Sequence, residues 1–152
     1  MSYCYEYPRP GLAVDMVLLR QGQQGLEVLL IQRGHPPFQG RWAFPGGFVE
    51  ENEPLLQAAQ RELREETGLE GVTLRQFATF GDPGRDPRGW MVSVVYWAWL
   101  GSATLPVTAG DDAAAARWWP LEALPPLAFD HAEILATITA AIGRYGLRLL
   151  VD

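Results

Sequence analysis

The sequence predicts an α/β fold in which a mixed β-sheet is sandwiched by helices. Three features lead there: two Val/Leu/Ile-rich runs parted by a turn-like QGQQG, a stretch after Asn52 with apolar residues at helical spacing, and a loose alternation of strands and helices. The alternation lacks the regular βαβ rhythm of a doubly wound sheet. At 152 residues and 48% hydrophobic, the chain is long enough to bury one core and too short for two, so residues 1–152 are read as a single domain.

Leu12 to Arg20 and Leu26 to Arg33 read as a strand pair. The following GHPPFQGRWAFPGG is dense in Pro and Gly and reads as a structured loop. A helix is expected from Asn52, with Asn52 as its cap, Pro54 in the first turn, Leu55, Ala59 and Leu63 on the buried face, and Gly68 as the stop. Val72 to Phe80 and Trp90 to Leu100 read as strands joined by the polar GDPGRDPRG. Ala115 to Pro120 reads as a short strand. His131 to Tyr145 reads as a closing helix, with Asp130 and Glu133 in capping-box positions.

The net charge of −6, from eighteen acidic and twelve basic residues, argues against general attraction to nucleic acid or an anionic membrane. An anionic substrate must therefore be received locally. All twelve basic residues are arginine, which suits bidentate phosphate recognition, although a codon bias gives the same count. Cys4 is the single cysteine, so no internal disulfide or cysteine metal cluster forms, and a cytoplasmic location is expected. No targeting segment is expected at the N-terminus, and the run WMVSVVYWAWL falls well short of the roughly 20 residues that span a bilayer.

The segment GFVEENEPLLQAAQRELREETGL carries the chemistry. On a helix Glu62, Glu65 and Glu66 stand at i, i+3 and i+4, so their carboxylates converge on one patch. Glutamate-rich helices are usually solvated faces. That reading leaves Gly46, Gly47, Arg61 and Gly68 without explanation, whereas a hard-oxygen site for a divalent cation explains the carboxylates directly.

Gly47, Glu53, Arg61, Glu62, Leu63, Glu65, Glu66, Gly68 and Leu69 match every specified position of the pattern G-x5-E-x7-R-E-U-x-E-E-x-G-U, with U aliphatic. On these residues the chain resembles the Nudix hydrolase family over nearly its whole length. The resemblance implies an α/β/α sandwich and hydrolysis of a nucleoside diphosphate linked to another group, with Mg2+ or Mn2+. It implies Glu62, Glu65 and Glu66 as principal metal ligands, the Gly46 carbonyl as a further one, Glu53 in support, and Arg61 orienting the carboxylates. Relatives differ over the general base, which is in some a box glutamate and in others an acid on a later loop. Here that loop is AGDDAAAARWWPL, and Asp112 is favoured over Asp111 by its spacing to Trp118. A polar turn pair is the plain alternative.

Pro83 stands fourteen positions beyond Leu69, as in the loop of ADP-ribose pyrophosphatases, which the chain resembles most. The resemblance thus implies ADP-ribose, cleaved to AMP and ribose 5-phosphate. Arg85 and Arg88 can fork onto phosphate or ribose, and Trp42, Phe44, Phe80 or Trp90 can stack on adenine. The plain alternatives are a hairpin turn, surface ion pairs from Asp82 and Asp86, and core aromatics. Arg33, Arg41 and FPGG are similar in part to coenzyme A diphosphatases, from which HPPFQG departs. Candidate substrate contacts are therefore Arg33, Arg41, Trp42, Pro83, Arg85 and Arg88. His35 and His131 receive no catalytic role.

Two rival functions are a mutator-type hydrolase of nucleoside triphosphates and a non-catalytic ADP-ribose sensor. Sensors of this kind carry an added DNA-binding domain and often a degraded box. The intact box and the absence of a basic extension favour the enzyme. Relatives with this activity are often dimers, which leaves a homodimer open.

Overall fold

The computed structural model describes residues 2–110 and 113–146. Seven strands form one mixed sheet: β1 (Gly11–Gly22), β2 (Gly25–Arg33), β3 (Trp42–Ala43), β4 (Gly46–Phe48), β5 (Arg75–Phe80), β6 (Met91–Trp99) and β7 (Ala113–Pro120). Among the described residues two α-helices, α1 (Leu55–Thr67) and α2 (His131–Tyr145), are accompanied by one short 3-10 turn, Leu121–Ala123.

The hairpin read from QGQQG is present, with Leu19 opposite Val28 and Gly22 opposite Gly25. Strand β6 runs parallel to β1 over nine residues, from Gly11 beside Met91 to Leu19 beside Trp99. Strands β5 and β7 flank the sheet antiparallel to β6 and β2.

Alternation along each strand builds the sandwich, since successive side chains point to opposite faces. Val14, Met16 and Leu18 join Val94, Tyr96 and Ala98 in packing against Ala58, Ala59 and Leu63 of α1. Val17 and Leu19 join Val95 and Trp97 in packing against Ile134, Leu135 and Ile138 of α2. Burial on both faces explains why β1 and β6 are nearly continuous apolar runs.

Several boundaries differ from expectation for local reasons. Asn52 does not cap α1: it adopts a left-handed conformation (φ 60°), and the helix begins after Pro54. Gly68 does close the helix, at φ 77°, its N–H bonding to the Arg64 carbonyl. Asp130 makes no side-chain capping bond to α2, because its carboxylate is taken by Arg85. The Pro/Gly-rich loop supplies two short strands, β3 and β4, through pairing with β2 and β1 that no local signal specifies.

Strand β1 changes partner along its length, and the change opens the site. It pairs with β4 over Ala13–Asp15 and with β2 over Leu19–Gly22. Between these, the Met16 N–H reaches the Pro45 carbonyl. Side chains from the diverging strands line the gap.

Candidate active site

A cavity of about 580 Å3 occupies this gap. It is lined by Gly46, Gly47, Arg61, Glu62 and Glu66, by Arg33, Arg85, Asp86, Arg88 and Phe129, and by Asp15 and His131 among others.

Arg61 organises the acidic residues. Its Nε and Nη2 donate to the two oxygens of Glu53, at 2.7 and 3.0 Å. Its Nη1 donates to Glu62 at 2.8 Å and to Glu65 at 3.1 Å, and Nη2 also reaches the Phe48 carbonyl at 3.1 Å. Such charge-assisted bonds fix the orientation of three carboxylates around one guanidinium. Hydrogen bonding from Arg61 holds the Glu53 carboxyl down at about 2.

Glu66 is perturbed the other way. Burial, then the neighbouring Glu62 charge, pushes its carboxyl up to about 9, against a hydrogen bond from the Gly46 backbone. Glu62 is also raised, chiefly by burial, and the two acids share a hydrogen bond. A proton between them lowers the repulsion of two buried carboxylates. One oxygen of Glu66, Oε2, is buried with no hydrogen-bond partner. An unpaired buried carboxylate oxygen is costly, and a cation is one group that would satisfy it.

The fit to a metal rests on that orphaned oxygen and on the hard-oxygen chemistry of the donors. Among the described residues no three acidic or histidine side chains form a ready-made ligand group. Arg61 Nη1 holds an oxygen of both Glu62 and Glu65. Gly47 lies directly beneath the Glu62 carboxylate, where any β-carbon would collide with it.

These shifts set a pH dependence for the metal-free protein. Glu66 binds a proton more tightly folded than unfolded, so its stabilising contribution is complete below pH 4.5 and is lost as pH rises toward about 9. Glu53 has the opposite sign: its contribution is present above pH 4.5 and is lost as pH falls toward about 2. In EDTA the unfolding temperature should fall from pH 5 to pH 9, and Glu66→Gln should flatten that fall. Equal slopes in the two proteins would show that Glu66 does not carry the raised pKa.

Residues 9–138 match the NUDIX domain family. The chain belongs to that family. It is 40% identical over 134 residues to an ADPR responsive transcriptional repressor, NtrR, of Acinetobacter baylyi, covering 86% of this chain and 53% of the repressor. It is also 40% identical over 129 residues to an ADP-ribose pyrophosphatase of Methanocaldococcus jannaschii, covering 85% of this chain and 73% of that protein. Among solved structures it resembles the NUDIX domain of Shewanella oneidensis NrtR complexed with ADP ribose, with a TM-score of 0.83, 35% identity and 90% of each chain covered. The chain thus spans about half the length of the repressor it matches.

Within the Nudix fold the expected site residues divide. Arg33, Gly46, Arg61, Glu62, Glu66, Arg85 and Arg88 line the cavity. Glu53 and Glu65 are tied to it through Arg61. Arg41 and Trp42 do not line it: the Arg41 guanidinium lies over Phe38, and Trp42 packs edge-on against Trp119 at 5.0 Å. Pro83 lines a neighbouring depression with Asp82, Arg85 and Glu133. Asp112 lies outside the described residues, and Gly110, two positions before it, donates its N–H to the Glu66 carbonyl at 3.2 Å.

The loop from Gly81 to Gly89 is more than a turn. Arg85 donates to both oxygens of Asp130, at 2.9 and 2.7 Å, and only 6% of its side chain is exposed, so its fork is committed to protein rather than to phosphate. Asp86 is buried, not at the surface, and takes the Arg88 backbone N–H and guanidinium.

Four residues near the site were not singled out from the sequence as contributors to it: Asp15, Ser93, Phe129 and Asp130. Asp15 lines the cavity and accepts a short hydrogen bond from the Ser93 hydroxyl at 2.5 Å. A lone acid inside the apolar run LAVDMVLL was its legible signal. His131 is a core imidazole: its Nδ1 accepts the Phe44 N–H at 3.1 Å, its ring stacks on Phe44, and burial lowers its pKa.

Proposed function

We propose that this chain is a metal-dependent pyrophosphohydrolase that cleaves ADP-ribose to AMP and ribose 5-phosphate. The observation that carries the reading is the buried, unpartnered Glu66 Oε2, facing the same cavity as Arg33 and Arg88. Acidic and basic groups thus line one space large enough for part of a nucleotide. The ADP-ribose pyrophosphatase relative and the ADP ribose complex of a similar NUDIX domain support the choice of substrate.

Glu62, Glu65 and Glu66 would hold Mg2+ or Mn2+, with the Gly46 carbonyl as a further ligand and Glu53 in support. When bound, such an ion neutralises phosphate oxygens and acidifies a water. Arg61 keeps Glu53, Glu62 and Glu65 oriented. Arg33 and Arg88, lining the same cavity, bind the anionic diphosphate. A carboxylate of the box, or Asp112, accepts the proton of the attacking water.

Incubation with Mg2+ and ADP-ribose should yield AMP and ribose 5-phosphate in equal amounts. Release of inorganic pyrophosphate from a nucleoside triphosphate, with ADP-ribose untouched, would transfer the assignment to the mutator-type reaction. The similarity to NtrR favours a second reading, an ADP-ribose-binding regulator. Binding of ADP-ribose without any cleavage in Mg2+ or Mn2+ would select it.

A further inference from the structure

We infer that Phe129 is a positioning residue that holds Arg33 and Arg88 together as one anion clamp. The inference rests on the proposed reading of the cavity as a diphosphate site. Both guanidinium carbons lie against the Phe129 ring, Arg33 at 4.9 Å and Arg88 at 5.1 Å from its centroid. Two cations facing one cavity repel each other, and burial together with the Arg88 charge lowers the Arg33 pKa. A shared aromatic face attracts both without using the N–H groups that a phosphate would need.

Each arginine is also anchored elsewhere. Arg33 Nε donates to the Pro37 carbonyl at 2.7 Å, and among the described residues no acceptor is supplied to its terminal nitrogens. Arg88 is gripped by Asp86 through Nε and Nη2 and also lies 5.1 Å from the Phe48 ring, and among the described residues no acceptor is supplied to its Nη1, the nitrogen left for an anion. Phe129 is the contact that the two arginines share.

The backbone is set for this purpose at a cost. Phe129 has φ 51°, a left-handed conformation that a bulky residue rarely adopts. Its neighbours fix it there: the Ala128 N–H bonds to the Trp42 carbonyl at 2.8 Å, and Asp130 is clamped by Arg85. The ring is wedged edge-on against Phe38 at 5.0 Å and lies 5.5 Å from the His131 ring. It borders both the main cavity and the depression beside it.

Because the clamp grips phosphate before and during reaction alike, its loss should appear in KM rather than kcat. Phe129→Leu, which keeps apolar bulk and removes the aromatic face, should raise KM for ADP-ribose and Kd for inorganic pyrophosphate in EDTA about tenfold. Phe129→Tyr should restore both. In a double-mutant cycle with Arg88→Gln the losses should be less than additive, since Phe129 acts through that arginine. Wild-type affinity in Phe129→Leu, no recovery in Phe129→Tyr, additive losses, or no pyrophosphate binding by the wild-type protein would overturn the inference. Phe129→Met serves the same comparison if the leucine variant does not fold. A wild-type protein that binds pyrophosphate yet leaves ADP-ribose intact would refute the functional reading alone, and calorimetry with pyrophosphate would still decide the clamp.

Discussion

Replacing Glu66 with Gln is expected to reduce kcat for ADP-ribose more than about 100-fold while leaving the fold intact, because a proposed direct ligand should matter at least as much as the groups that merely orient ligands. The substitution is unusually clean. Glutamine keeps the shape and the polar character of a side chain whose own carboxyl is held up to about 9, so near neutral pH both residues are uncharged in the metal-free protein. The unfolding temperature in EDTA should consequently differ little between the two near pH 4.5, and near pH 7 the variant should be the more stable, since only Glu66 must then take up a proton on folding. What changes is the response to Mg2+, since a ligand that binds the folded state raises the unfolding temperature by mass action. Wild-type protein should gain stability on adding the ion, and the variant should gain much less. Turnover near that of the wild type, with Mg2+ still required, would remove Glu66 from the ligand set.

This expectation also explains why a buried acid with an unpaired oxygen is tolerated. In the metal-free molecule a proton shared with Glu62 relieves the crowding that a cation would relieve in the loaded one. On the proposed reading the cavity would trade protons for metal. Apparent metal affinity should rise with pH over the range in which that proton leaves.

How far the chain could be read in advance depended on whether the deciding interaction was local. The strands β1 and β6 announced themselves as apolar runs, and Gly68 marked the end of α1, because strand burial and helix closure are written into neighbouring residues. The parallel pairing of β1 with β6 joins residues about 80 positions apart, and no turn signal announces it. Strands β3 and β4 were hidden in a Pro/Gly-rich loop for the same reason. Helical spacing brought Glu62 and Glu66 to the cavity lining, while Glu65 meets the site through Arg61. Arg85 was not legible: its carboxylate partner, Asp130, is 45 residues away, and the same arginine alone reads equally well as a phosphate ligand. Trp42 was misplaced because an aromatic beside a Gly-rich loop can face either cavity or core, and Trp119 decides the matter.

Arg61 offers the complementary test, since it touches no substrate in the proposed mechanism yet bonds Glu53, Glu62 and Glu65 at once. Arg61→Lys retains the charge and loses the planar fork that bonds both oxygens of Glu53 while reaching Glu62, Glu65 and the Phe48 carbonyl. An ammonium is a point donor and cannot span these acceptors. With 16% of the Arg61 side chain exposed, and 12% and 13% of Glu53 and Glu62, water cannot readily take over the lost bonds. The expected result is a fall in kcat of about 10- to 100-fold, of the size produced by losing a group that orients metal ligands. A weaker apparent affinity for Mg2+ and a lower unfolding temperature, in EDTA as well as with metal, should accompany it. That last feature separates the two variants: Glu66→Gln should spare the metal-free fold, and Arg61→Lys should weaken it. If the lysine variant matched the wild type in kcat and Mg2+ affinity, the guanidinium fork would be a packing feature of the helix, and the carboxylates would have to be oriented by something other than Arg61.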